Sequence, residues 1–157
     1  MKPTVYVETS AISYLTARPS RDLIVAGHQQ ITADWWFSIR DQVECFVSAF
    51  VIQEISRGDQ KLAQLRLAAV ADFPVLKLNQ EIYRLAQHYF AALNIPEKSK
   101  IDAFHLAVAA WYGMDYVLSW NCKHIASGRV QKILQALNAK AGRHTPIMCT
   151  PEELMEV

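Results

Sequence analysis

Hydrophobic positions along this chain fall into short β-branched or aromatic runs, separated by longer stretches in which apolar residues recur every three or four positions. The runs are Thr4 to Val7, Val43 to Val47, Pro74 to Leu78, Tyr116 to Trp120 and Pro146 to Cys149, and each has the length and residue types of a buried strand. The stretches between them, Arg21 to Arg40, Ala49 to Arg57, Gln60 to Ala71, Gln80 to Leu93, Lys100 to Tyr112 and Ser127 to Ala141, carry helical spacing. Strands that alternate with helices imply right-handed crossovers and a parallel sheet covered on both faces. The punctuation agrees: Gly58 and Gly113 stand where helices end, Asn79 and Ser99 where they begin, and Pro96 breaks the chain before the Lys100 helix. The expectation is a single α/β domain over residues 1–157, with a central parallel sheet of four or five strands.

Composition narrows the class. The apolar share is 52% and the mean hydropathy +0.04, yet no apolar run approaches the roughly 18 residues of a membrane span. Residues 1 to 20 lack a basic segment followed by an apolar one, so the reading is a cytoplasmic protein without a membrane role. Cys45, Cys122 and Cys149 are three in number and far apart, which argues against a disulfide framework or a zinc knuckle and for small buried hydrophobes. The net charge of +1 hides an asymmetry, because Val117 to Thr150 contains five basic residues and no Asp or Glu. Such a block is either a solvated helix face or an attractor for a polyanion.

Candidate chemistry gathers where hydrophobic segments end. Glu8 ends the first strand, Glu54 lies in the helix after the second, Asp102 opens an almost wholly apolar helix, and Asn121 follows the fourth strand. In an open parallel sheet, ligands bind beyond the carboxyl ends of the strands. All four positions fit that edge, whereas Asp115 starts the fourth strand and lies about 20 Å from Asn121 at about 3.3 Å per residue. Each member has a plainer explanation: Glu8 as cap of a turn from Thr9 to Tyr14, Glu54 as an intrahelical partner of Arg57, Asp102 as a first-turn helix acid. Together, three acids and an amide at one edge would repel one another unless they held a cation.

The segments Glu8-Thr9-Ser10, Glu54, Asp102-Ala103-Phe104-His105-Leu106-Ala107 and Leu118-Ser119-Trp120-Asn121 resemble, in order and spacing, the motifs of PIN-domain proteins. Many of these are VapC-type toxins of type II toxin–antitoxin pairs. The resemblance runs from Val5 to about Met148, with the Asp102 and Asn121 segments its most specific part. It implies a three-layer α/β/α sandwich, Mg²⁺ or Mn²⁺ held by acidic side chains, endonucleolytic cleavage of RNA and a cognate antitoxin. Two positions depart from the family pattern: Glu8 and Asn121 each stand where Asp is commoner. The first lengthens a ligand by one methylene, and the second removes a negative charge.

On that basis Glu8, Asp102 and Glu54 are the expected metal ligands, with the general base an alternative role for Glu54, and Asn121 orients a water. Thr9 and Ser119 supply nearby hydroxyls. Lys123, Arg129 and Lys132, then Arg18 and Arg21, are the expected contacts to the RNA backbone, which is read by charge rather than sequence. His105 lies one turn from Asp102 and either orients it or packs in the core; His124 meets phosphate, acts as an acid or merely caps. Trp35, Trp36 and Phe37 form an aromatic helix end that stacks on bases or packs; in this family such a surface often supports a homodimer or holds the antitoxin.

Two other α/β classes fail on residue identity. A phosphoacceptor receiver needs an acid after the third strand, where Asn79 stands, and a Lys after the fifth, where Cys149-Thr150 follows; a haloacid-dehalogenase-type phosphatase needs D-x-D-x-T in place of Glu8-Thr9-Ser10-Ala11. The remaining rival is a PIN domain weakened at Asn121 that binds RNA or protein without cleaving.

Overall fold

The computed structural model describes residues 1–157. Strands β1 (Thr4–Val7), β2 (Glu44–Ser48), β3 (Val75–Leu76), β4 (Tyr116–Leu118) and β5 (Ile147–Cys149) form one sheet in the order β3-β2-β1-β4-β5. Every neighbouring pair is parallel, as the alternating pattern requires. Helices α1 (Thr9–Thr16), α2 (Leu23–Ser38), α3 (Ala49–Ile55), α4 (Gln60–Ala69), α5 (Gln80–Leu93), α6 (Lys100–Trp111) and α7 (Gly128–Lys140) flank it. The chain builds outward from β1 through β2 to β3, then crosses back and continues through β4 to β5. Strand order therefore reverses between β1 and β4, which makes their carboxyl ends the place where an open sheet parts to admit a ligand.

Several boundaries differ from the sequence expectation, each for a local reason. The segment after β1 is an eight-residue helix rather than a turn. Helix α2 begins at Leu23, because the Asp22 side chain accepts from the Ile24 and Val25 amides and satisfies the first free donors of the helix. Strand β3 has only two residues: Pro74 has no amide to donate, and the Lys77 carbonyl accepts from the Tyr112 hydroxyl at 2.6 Å. Strand β4 stops at Leu118 because the Trp120 amide turns to Ser10 Oγ, 2.8 Å away. Asn79 caps α5 as expected, but Ser99 lies in a 3₁₀ turn and gives α6 no side-chain cap.

Helix α6 is the spine of the core. Asp102, Ala103, His105 and Leu106 to Ala110 are all buried, and the alanines among them let α5 and the sheet approach closely. A helix apolar on all sides must be covered on all sides. The aromatic helix end is divided: Trp35 and Trp36 are core residues, and only Phe37 is exposed. Trp35 Nε1 donates to the Leu154 carbonyl at 3.0 Å, tying the last turn of the chain to α2, so these indoles are not a surface for stacking bases. Cys45 and Cys149 are buried and Cys122 is exposed; burial pushes the first two thiols up to about 12. No helix is long and apolar enough to cross a membrane.

Trp120, which leads into Asn121, is fixed by a buried hydrogen bond from its Nε1 to Thr32 Oγ1 at 2.7 Å and by stacking on His28, with centroids 4.0 Å apart and planes 10° from parallel. Thr32→Val keeps the side-chain shape but strands the indole donor, so it should cost about 1–3 kcal/mol, measured by denaturant unfolding. No loss of stability would mean the contact contributes nothing net.

Candidate metal centre

Glu8 reaches the edge because β1 ends one residue before it and its amide still donates to the Leu118 carbonyl of β4, at 3.0 Å. Its Oε1 accepts from Ser10 Oγ at 2.5 Å, Ser119 Oγ at 2.6 Å and the Ser10 amide at 3.2 Å. It is thus the N-cap of α1 as well as a site residue, and the carboxylate is only 6% exposed. Concentrating donors on Oε1 offsets the cost of burying the charge.

Helix α3 follows β2 with no intervening loop and is capped by Ser48, which carries Glu54, the sixth residue of the helix, toward the same edge. Glu54 Oε1 accepts from Thr9 Oγ1 at 2.7 Å and from His105 Nε2 at 2.6 Å. The intrahelical pair with Arg57, the plainer alternative for Glu54, does not form; His105 takes that place, and it serves Glu54 rather than Asp102. His105 is fully buried, with Nδ1 2.6 Å from the Tyr6 hydroxyl and that hydroxyl 2.8 Å from Ser48 Oγ. The chain works in either protonation state. A charged ring donates to Tyr6, which donates to Ser48; a neutral ring accepts from Tyr6, which accepts from Ser48.

Burial alone would raise the Glu54 pKa, but the hydrogen bonds from His105 and Thr9 and the neighbouring positive charge outweigh it and hold the carboxyl below its ordinary value. For His105 burial opposes the charged form, yet the Glu54 bond and the fields of Glu8, Glu54 and Asp102 raise the ring above its ordinary value. Burial also keeps Tyr6 neutral, its pKa raised well above that of a free phenol.

Asp102 stands in the first turn of α6, 8% exposed, where the positive end of the helix dipole favours its charge. Its Oδ2 lies 2.9 Å from His124 Nδ1. His124 sits in the turn after β4, and Asn121 Oδ1 holds that turn by accepting the His124 amide at 3.0 Å. The amide oxygen expected to orient a water is therefore also a backbone cap. Sequence reading gave His124 a phosphate, acid or capping role but missed its partner. It missed Ser10, Tyr6 and Ser48 altogether, although the Glu8-Thr9-Ser10 spacing of a cap was a usable signal for Ser10.

The donor set suits a hard divalent cation. Ligand atoms of Glu8, Glu54 and His105 lie within 4.8 Å of one another, but both His105 nitrogens are already engaged, so the ring acts as a positioner of Glu54 rather than as a ligand. Each carboxylate of Glu8, Glu54 and Asp102 commits one oxygen to protein donors and leaves the other without a protein partner. None of these second oxygens is a buried unsatisfied atom, so each meets solvent. Oxygen ligands with water completing the shell are what Mg²⁺ and Mn²⁺ prefer.

The basic block is not one patch. Lys123 follows Asn121 and is exposed, as are Arg129 and Lys132 on the first turns of α7. Arg129 Nη2 also donates to the Leu93 carbonyl at 2.6 Å, which spends part of its guanidinium on tying α7 to α5. Arg18 and Arg21 are exposed between α1 and α2. Lys140 and Arg143 lie at or beyond the far end of α7, away from the acids.

Comparison with known proteins agrees with this geometry. The PIN domain family model matches residues 5–121. Among solved structures, the VapC20 toxin of Mycobacterium tuberculosis, described as cleaving the sarcin-ricin loop, superposes with a TM-score of 0.58 at 17% identity, over 76% of this chain and 92% of that one. A tyrosyl-tRNA synthetase from Aeropyrum pernix gives a TM-score of 0.46 at 10% identity, over 96% of this chain and 53% of that one, which is too distant to carry any argument. A search of curated proteins by sequence matched none. The family match spans most of the chain, including all four edge residues, and this chain belongs to the PIN-domain family.

Proposed function

We propose that this chain is a Mg²⁺- or Mn²⁺-dependent endoribonuclease of the VapC type that hydrolyses RNA phosphodiesters. The observation that supports the reading is the meeting of Glu8 and Glu54 at the β1/β4 switch point, with ligand atoms within 4.8 Å of each other and of His105; Asp102 lies outside that group, on the first turn of the helix that carries His105, and its Oδ2 is engaged by His124. These three would hold the ion, which when bound supplies Lewis-acid polarisation of the phosphate and a more acidic water. Ser10 and Ser119 fix the Glu8 carboxylate. His105 and Thr9 fix that of Glu54, and His124 fixes that of Asp102. Lys123 and Lys132, with Arg129, Arg18 and Arg21, attract the strand through phosphate contacts. The similarity to a sarcin-ricin loop cleaving toxin makes structured RNA the first substrate to try, and a cognate antitoxin is the partner the resemblance implies.

A second reading, RNA binding without cleavage, is favoured by one observation: the position of the fourth acid is an amide whose oxygen caps its own turn. A site with three carboxylates suits one ion better than two.

Asp102→Ala should lower cleavage of a structured RNA by more than about a hundredfold, since metal charge stabilisation is worth several kcal/mol, with circular dichroism unchanged. Retained cleavage in that variant would sink the site assignment, and no cleavage by the unmodified protein with either metal would favour binding only. Asn121→Asp should keep the turn, because a carboxylate accepts the same amide, and should tighten Mn²⁺ binding in calorimetry; weaker binding would show that the amide is needed as such.

In metal-free protein the Glu54–His105 pair gives a pH window of stability. The lowered Glu54 contributes above its unfolded value of about 4.3 and is lost as pH falls through its folded value; the raised His105 contributes below its unfolded value of about 6.5 and is lost as pH rises through its folded value. The melting-temperature difference between the native protein and Glu54→Gln in EDTA should therefore peak between about pH 4.5 and 6.5 and shrink on the alkaline side. A difference that does not shrink as pH rises above that range would exclude the charged pair.

A further inference from the structure

Away from the acids, the start of α5, the end of α6 and the end of α7 enclose a cleft of about 340 Å³, at the lower end of the size range of small-molecule sites. Asp102 and Trp111 mark the two ends of α6, so the cleft lies about 13 Å along that helix from the carboxylates, at about 1.5 Å per residue. Its walls are Leu85, Leu137 and Trp111, and its mouth carries Arg84, His88 and Arg143.

Arg143 is the unusual member. Its Nε is the one buried side-chain nitrogen or oxygen of the chain with no hydrogen-bond partner, and its guanidinium makes no ion pair. Native structures leave few such atoms unpaired. The guanidinium carbon lies 5.3 Å from the centroid of the Trp111 ring; an aromatic ring attracts the charge through its face and does not consume the N–H donors at the guanidinium edge. Those donors form the planar fork that meets a carboxylate or phosphate two bonds at a time.

The surroundings exclude an internal partner. The acid at the rim, Glu81, is already paired with Arg84. Tyr89 and Asn138 at the floor satisfy each other at 2.6 Å, and Asn138 Nδ2 donates onward to Thr145 at 2.8 Å. The cleft therefore holds one uncompensated positive charge, a second cation at the rim, an imidazole able to donate, and apolar walls. A phosphate ester uses all of these features, because its second negative charge and extra oxygens meet Arg84 and His88 while its organic body covers Leu85 and Leu137.

We propose that this cleft is a second ligand site, distinct from the metal centre, that binds a phosphate ester of nucleotide size with the phosphate on the two Nη donors of Arg143, which neither a protein partner nor burial occupies. The phosphate comes from a free nucleotide or from a nucleotide of an RNA chain, and the two sources are separable. In EDTA buffer, the arginine Nε–H resonances of ¹⁵N-labelled protein are followed during addition of 5′-AMP, inorganic phosphate or a short single-stranded oligoribonucleotide. The Arg143 Nε–H and the Trp111 indole N–H should shift saturably with 5′-AMP or the oligoribonucleotide, and at least tenfold more weakly with inorganic phosphate. A response to 5′-AMP identifies a free nucleotide, and a response to the oligoribonucleotide alone identifies RNA.

Arg143→Gln should abolish the indole shift, Trp111→Ala should weaken that of Arg143, and Asp102→Ala should leave both intact, so that loss of the nuclease reading does not touch this one. No saturable shift with either organic probe up to about 10 mM, or equal response to inorganic phosphate, overturns the proposal.

Discussion

Two of the three carboxylates at the sheet edge, Glu8 and Asp102, are more than nine-tenths buried, and keeping carboxylate charge out of water is the demand around which the surrounding chain is arranged. An unpaired buried carboxylate costs several kcal/mol or takes up a proton. Here each is met by donors from a different element: hydroxyls of α1 and the β4 turn for Glu8, an imidazole of α6 and a hydroxyl of α1 for Glu54, an imidazole of the β4 turn for Asp102. The donors gather on one oxygen of each group, so the negative charge is stabilised and still available.

That demand accounts for features the hydrophobic core does not require. Tyr6 and Ser48 lie on neighbouring central strands, where two apolar residues would pack as well, yet their hydroxyls continue the chain that begins at Glu54 and passes through His105. A polar chain this deep is tolerable only when every member is satisfied. The cost of satisfying it is met by α6, whose alanines bring His105 within reach of both α3 and β1.

The parallel sheet, six of the seven helices and the four edge positions were legible in the sequence because each rests on periodicity or on a residue type at the end of an apolar run. What was illegible was pairing across the fold. Nothing local to Glu54 distinguishes Arg57 three residues away from His105 fifty-one residues away; the choice is made by the crossing of α3 and α6. Helix α1 escaped because its apolar spacing is short and its cap is an acid that also looked like a ligand. Trp35 and Trp36 resembled a surface because they adjoin Phe37, and only the return of the C-terminal turn onto α2 covers them.

Ser10 Oγ donates to Glu8 and accepts from the Trp120 amide, so one hydroxyl sets both the reach of the Glu8 carboxylate and the path of the chain into Asn121. The glutamate at position 8 and the serines at 10 and 119 thus form a single hydrogen-bonded unit. A shorter aspartate at position 8 would withdraw from both hydroxyls and leave Ser10 Oγ only the amide of Trp120 and the hydroxyl of Ser119. Changing the acid alone would strip both hydroxyls of their acceptor, so the length of residue 8 and the presence of the two serines are one structural choice.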